Sequence, residues 1–309
     1  MARDRNSRCG SPRRSDARRT LGRFVSASAI AFGIGLANVG ASIAAAPATA
    51  DYPGTFALPG KVAKVAATLH ATFSGPTSAH LDISETTTSG QTITDYDIDM
   101  TKRLHLIVVS DDLESFQHVH PALGADGHFS IDLTVPKPGH YLIYADAVPH
   151  GRGQQVFRFE VPFGDAPAAK PHLRTTPASV RAGPYRVTLS TLNLDAGETT
   201  MIEIHVTKNE RPATDLSPYL GGAGHAVFIS AGDDSYIHVH PMPGTDMSSM
   251  SGMGGMGEMG EMKALPDAAK VEPAMMLHVA APRAGAYKLW FQFRGGGRLY
   301  VAPFVLTAG

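Results

Sequence analysis

Phe116-Gln117-His118-Val119-His120-Pro121 reads as the last turnless stretch of a β-strand, and Tyr236-Ile237-His238-Val239-His240-Pro241 repeats it 120 residues later. Outward from this phrase the same offset holds. Asp95 stands ten residues before His105 and Asp215 ten before His225, each preceded by threonine. Eleven residues after each of those histidines comes the aromatic that opens the phrase. Beyond the prolines the copies lose register, because the second carries about 26 extra residues. They rejoin at Pro138-Gly139-His140-Tyr141 and Ala284-Gly285-Ala286-Tyr287. So many matches at one offset mark an internal repeat.

Successive side chains of a strand point to opposite faces. The aromatic and both histidines of each phrase therefore share one face, and Val119 or Val239 takes the other. The two imidazoles begin roughly 6.6 Å apart along the strand. If the run holding His105 or His225 pairs with the phrase as a hairpin, three histidines converge in each repeat. Neutral imidazoles suit Cu(II) and Zn(II), with copper the tighter binder. The candidate metal ligands are thus His105, His118, His120, His225, His238 and His240. The competing reading is a hydrogen-bonded structural corner, copied when the repeat was duplicated. His70, His80, His128, His140, His150, His172, His205 and His278 have no counterpart in the other copy and are read as surface or core residues.

The rest of the pattern is β. Leu104–Ser110, Tyr141–Ala147, Val156–Val161, Thr200–Val206, Ala226–Ser230 and Lys288–Phe293 are short apolar runs bounded by Gly, Pro, Asp and Asn. No stretch shows a capped 3.6-residue period. About seven short strands per repeat predict two tandem immunoglobulin-like β-sandwiches, residues 51–164 and 178–309, joined by a Pro/Ala-rich linker at 165–177. The Gly-x-Tyr turns at Tyr141 and Tyr287 resemble the tyrosine corner of that fold.

Residues 1–50 predict a signal peptide. Eight arginines lie in residues 1–23, an uncharged stretch runs from Phe24, and Ala48-Thr49-Ala50 is an A-x-A cleavage site. Arg18-Arg19 resembles a twin-arginine export signal. A periplasmic or secreted location follows, with no integral membrane segment in the mature chain. Residues 51–309 hold 19 Lys and Arg against 26 Asp and Glu, a charge of about −7 that argues against nucleic acid. The only cysteine, Cys9, lies in the signal. Disulfides, blue-copper sites and Cys-zinc sites are then excluded from the mature protein.

The insertion in the second repeat, read as a Met/Gly-rich loop at 242–270, sharpens the metal reading. Met247, Met250, Met253, Met256, Met259 and Met262 recur every third residue after Met242, with six glycines among residues 242–262. That much glycine disfavours a helix. Thioethers select Cu(I) and Ag(I) over hard cations, which adds these seven methionines to the candidate ligands. The alternatives are a low-complexity expansion with no role and a sulfoxide-cycling oxidant sink.

With these residues in view, Thr214–Gly222 through His225 to Pro241, and Leu104–Ser110 with Phe116–Pro121, resemble a widespread exported bacterial HVHP-motif domain. In outline the resemblance is to FixH/YtkA-like and CopC-like immunoglobulin-fold proteins, often near copper or heavy-metal resistance functions. It covers most of residues 60–163 and 178–307 and implies the sandwich fold more firmly than the metal. Met100–Leu104 departs from the glycine-rich Leu220–Gly224. The expectation is a non-enzymatic protein that sequesters or transfers a copper ion, with an envelope protein as a possible partner. Its rivals are an envelope binding or assembly module with structural HVHP motifs, and a superoxide-dismutase-like copper enzyme. Copper–zinc superoxide dismutases also carry an HVH pair, but their disulfide cysteines have no counterpart here.

Overall fold

Each apolar run named above forms a strand, lengthened by up to three residues at an end. The computed structural model describes residues 48–243 and 264–309, and all regular elements among them are strands. No helix among the described residues is long and apolar enough to cross a membrane.

Residues 48–163 build two sheets. One orders Ala48–Pro53, Ala66–Gly75, Ser78–Thr86, Phe129–Thr134 and Ala122–Leu123. The other orders Thr55–Phe56, Gln155–Phe163, Gly139–Ala147, Leu104–Ser110 and Phe116–Val119. Leu69, Leu81 and Phe129 of the first sheet and Leu106, Ile143 and Phe159 of the second share one core, the packing of a β-sandwich. Residues 179–308 repeat the plan. Ser179–Ala182, Tyr185–Leu189, Thr199–Lys208, Ala274–Ala280 and Met242–Pro243 face Asn193–Leu194, Arg298–Ala308, Gly285–Gly295, His225–Ser230 and Tyr236–Val239. Val187, Ile204 and Leu277 meet Phe228, Leu289 and Phe304 in the second core.

A third apolar cluster decides how the halves meet. Ile107, Val109, Leu142 and Tyr144 of the first pack with Val227, Ile229, Tyr236 and Trp290 of the second. Strand alternation explains the split. Leu106 and Val108 enter their own core, while Ile107 and Val109 point the other way into the joint. All seven residues of Leu104–Ser110 and all six of His225–Ser230 are therefore buried, because both faces of each strand are covered.

Local details fit the sequence. Tyr141 Oη donates to Lys137 O at 2.8 Å and Tyr287 Oη to Arg283 O at 2.9 Å, each reaching four residues upstream. The segment read as a linker lies against the body: Thr176 Oγ1 accepts from Val305 N at 2.9 Å and Leu173 packs on the joint. The first strand begins at Ala48, so Ala48, Thr49 and Ala50, on the signal side of the A-x-A site, pair with Phe73, Thr72 and Ala71.

Candidate metal centre

The hairpins that the histidine reading requires are present. Leu104–Ser110 pairs antiparallel with Phe116–Val119, setting Ile107 opposite His118 and Leu106 opposite Val119. In the second half Val227 lies opposite His238 and Ala226 opposite Val239. Continuing each register by one residue sets His105 against His120 and His225 against His240. The histidines share the faces of Ile107, Val109, Val227 and Ile229, so they sit at the edge of the joint between the halves.

Two triads of nitrogen atoms result. His105 Nδ1 lies 3.0 Å from His118 Nε2, and His120 Nε2 lies 3.3 Å from the first and 3.2 Å from the second. His225 Nδ1 lies 3.1 Å from His238 Nε2 and 3.1 Å from His240 Nε2. The triads face each other. Ring centroids of His105 and His238 are 5.1 Å apart, and those of His118 and His225 5.3 Å. One ligand nitrogen from each of His105, His118, His225 and His238 lies within 4.8 Å of the other three.

The outer nitrogens fix the tautomers. His105 Nε2 faces Asp99 O at 3.4 Å and His225 Nε2 faces Tyr219 O at 2.9 Å. A carbonyl only accepts, so these nitrogens carry the protons and each Nδ1 is bare. His118 Nδ1 donates to Gln292 Oε1 at 2.7 Å, and His238 Nδ1 donates to Asp146 Oδ2 at 3.4 Å when that carboxyl is ionised, which bares each Nε2. Two unprotonated nitrogens thus meet at 3.0 Å in one half and 3.1 Å in the other. Lone pairs so placed repel unless a cation lies between them. Outer partners that set tautomer and ring orientation are what metal-bound histidines carry.

Burial keeps the site neutral. It pushes His118, His225 and His238 well below the usual imidazole range, with the neighbouring imidazoles adding to the effect. His105 is lowered by the same burial. His120 falls to about 3 and His240 to about 4, again mainly by burial. At neutral pH all six imidazoles are uncharged and competent to bind a metal ion. Asp146, 2% exposed, is pushed up to about 7 by burial, and it also accepts from Gln154 Nε2 at 2.9 Å and Tyr236 Oη at 3.1 Å.

A family model for a domain of unknown function (DUF8832) matches residues 60–163 and 178–309. The chain belongs to this family. One matched segment lies over each half and includes that half's triad. No curated protein matches the chain. The family description assigns no chemistry, so the reading of the site rests on its geometry.

Of the methionines proposed as ligands, Met242 pairs through its main chain with Met276 on the strand leaving the histidines. Met247, Met250, Met253, Met256, Met259 and Met262 lie outside the described residues. The unpaired histidines mostly meet acids at the surface: His70 with Asp51, His80 with Asp132, His128 with Asp82 and His150 with Asp97. Sequence reading missed Asp146 and Gln292. The one available signal was a carboxylate closing the apolar run Tyr141-Leu-Ile-Tyr-Ala-Asp146.

Proposed function

We propose that this protein is an exported, non-catalytic copper-binding protein of two tandem immunoglobulin-like sandwiches, which holds copper ions for sequestration or transfer. One observation carries the reading: four buried histidines, each with its proton turned outward, aim bare nitrogens at one another across 3.0 and 3.1 Å. Had the HVHP phrases been structural corners alone, their histidines could have stood singly, each satisfied by its own partner. Imidazole donors without cysteine or a carboxylate ligand favour copper over zinc and over the hard cations. The methionine-rich stretch that follows Met242 supports the same choice, since thioethers add a preference for Cu(I).

The test is anaerobic Cu(I) and aerobic Cu(II) titration of the purified chain against its His118→Ala/His238→Ala variant. Tight binding that the double variant loses by at least 100-fold supports the reading. Binding no tighter than that of free imidazole, or equal in both proteins, would overturn it.

A further inference from the structure

We infer that the six histidines form a dinuclear centre: two copper ions, each held by the three nitrogens of one half, side by side in the joint. This rests on the copper reading above and extends it to number and arrangement.

Three imidazole nitrogens bound at about 2.0–2.1 Å to one tetrahedral ion stand about 3.3 Å from one another. The first triad's separations are 3.0, 3.2 and 3.3 Å, and the second triad's are 3.1 and 3.1 Å. The first triad already has the spacing of one ion's ligand shell, and in the second His225 stands at that spacing from both partners. A single ion shared by His105, His118, His225 and His238 would leave His120 and His240 outside, although His120 stands within 3.3 Å of both its partners and His240 stands 3.1 Å from His225. It would also draw its ligands from a set bounded only at 4.8 Å. Three nitrogens per ion would leave each ion a fourth position.

The second observation is reciprocity. Asp146 and Gln292 occupy the same strand position, opposite His105 and His225 respectively. Neither serves the histidine of its own half. Gln292 holds His118, and Asp146 holds His238. Each half-site is therefore oriented from across the joint, and neither is complete without the other half. Charge selects the oxidation state. Six neutral imidazoles and one contacting carboxyl leave two Cu(I) ions a far smaller buried charge than two Cu(II) ions.

The experiment counts ions by native mass spectrometry after anaerobic Cu(I) loading of the full chain, His120→Ala, His240→Ala and the double variant. Each single variant is expected to carry one ion fewer than the parent and the double variant two fewer. X-ray absorption of the loaded parent, which needs no variant to fold, should show a copper–copper distance below about 5 Å. A parent that carries one ion, a count unchanged in the single and double variants, or no copper–copper scattering would replace the pair by a single ion shared by His105, His118, His225 and His238. A parent that takes up no copper would instead sink the functional reading itself.

Discussion

The two halves carry the same three histidines on the same hairpin, yet they surround them differently. In the second half His238 leans on a carboxylate, Asp146, which Tyr236 also reaches at 3.1 Å. In the first half His118 leans on an amide, Gln292, and the residue equivalent to Tyr236 is Phe116, which has no hydroxyl to offer. Lys102 lies near enough to His120 to disfavour its protonation, and by the same field it disfavours a cation there. Duplicated histidines thus sit in unequal fields, and on the copper reading proposed above the second triad is expected to be the tighter site. The stacking residues keep the symmetry that the polar ones have lost. Phe116 stacks on Trp290 at 4.9 Å, and Tyr236 on Tyr144 at 5.1 Å, each aromatic crossing to the other half.

The largest effects should come from volume exchanged between the halves. Leu106 opposite Ala145 becomes Ala226 opposite Phe291 in the second copy. A Cβ on Gly224 would stand 2.7 Å from the Phe291 ring, whereas the first half has Leu104 at that position. Phe291→Ala should cost about 3–5 kcal/mol, and adding Ala226→Leu should recover a substantial part. Equal melting temperatures for the single and double variants would show that the two cores do not trade volume in this way. Trp290→Ala, which strips the joint of one stack, should lower the melting temperature by on the order of 10 °C.

Next comes pH. The six imidazoles have folded pKa values below their unfolded ones, so unfolding takes up protons as pH falls from about 6.5 towards about 3. Stability drops along that limb. Asp146, raised to about 7, and Glu85, a buried carboxyl raised to about 8, act oppositely: the folded state holds their protons, and stability falls as pH climbs through those values. His128 and His150, raised by their aspartates, oppose the acid limb only at the surface. The metal-free chain should therefore melt highest near pH 6.5–7 and lose several degrees on either side, as thermal melts across pH would show. A monotonic rise from pH 7 to 9 would mean that Asp146 and Glu85 are not held protonated.

The field difference between the triads predicts smaller changes. Asp146→Asn should weaken the second site by about 10- to 100-fold and leave the first nearly unchanged, the scale of losing a metal-bound histidine's outer partner. Gln292→Glu should strengthen the first site and bring the two affinities together in a copper competition assay. Smallest of all, Lys102→Ala should tighten the first site a few-fold at low salt, an effect that added salt erases.

Much of this was legible from two periodicities. The spacing His118-Val119-His120 placed both imidazoles on one face, and the repeat at 120 residues gave the second triad. The joining of the triads was not read, although its trace is present. Leu106-Ile107-Val108-Val109 and Ala226-Val227-Phe228-Ile229 are apolar on both faces, a pattern that asks for cover on each side. What no spacing could give is the crossing of Asp146 and Gln292. Those contacts span 92 and 174 residues and exist only once the halves have docked.

Contacts exchanged in both directions, aromatic for aromatic and outer partner for outer partner, are the signature of an isologous interface, one surface meeting its own copy. A chain built of a single such repeat would have to dimerise about a two-fold axis to finish its centre, and both half-sites would then be identical. Joining the copies in one polypeptide removes that constraint. It makes assembly independent of protein concentration, and it lets one side become a carboxylate while the other remains an amide. Two copies in one polypeptide can therefore carry unlike outer partners, Asp146 in one and Gln292 in the other, where the two halves of a homodimer must carry the same residue.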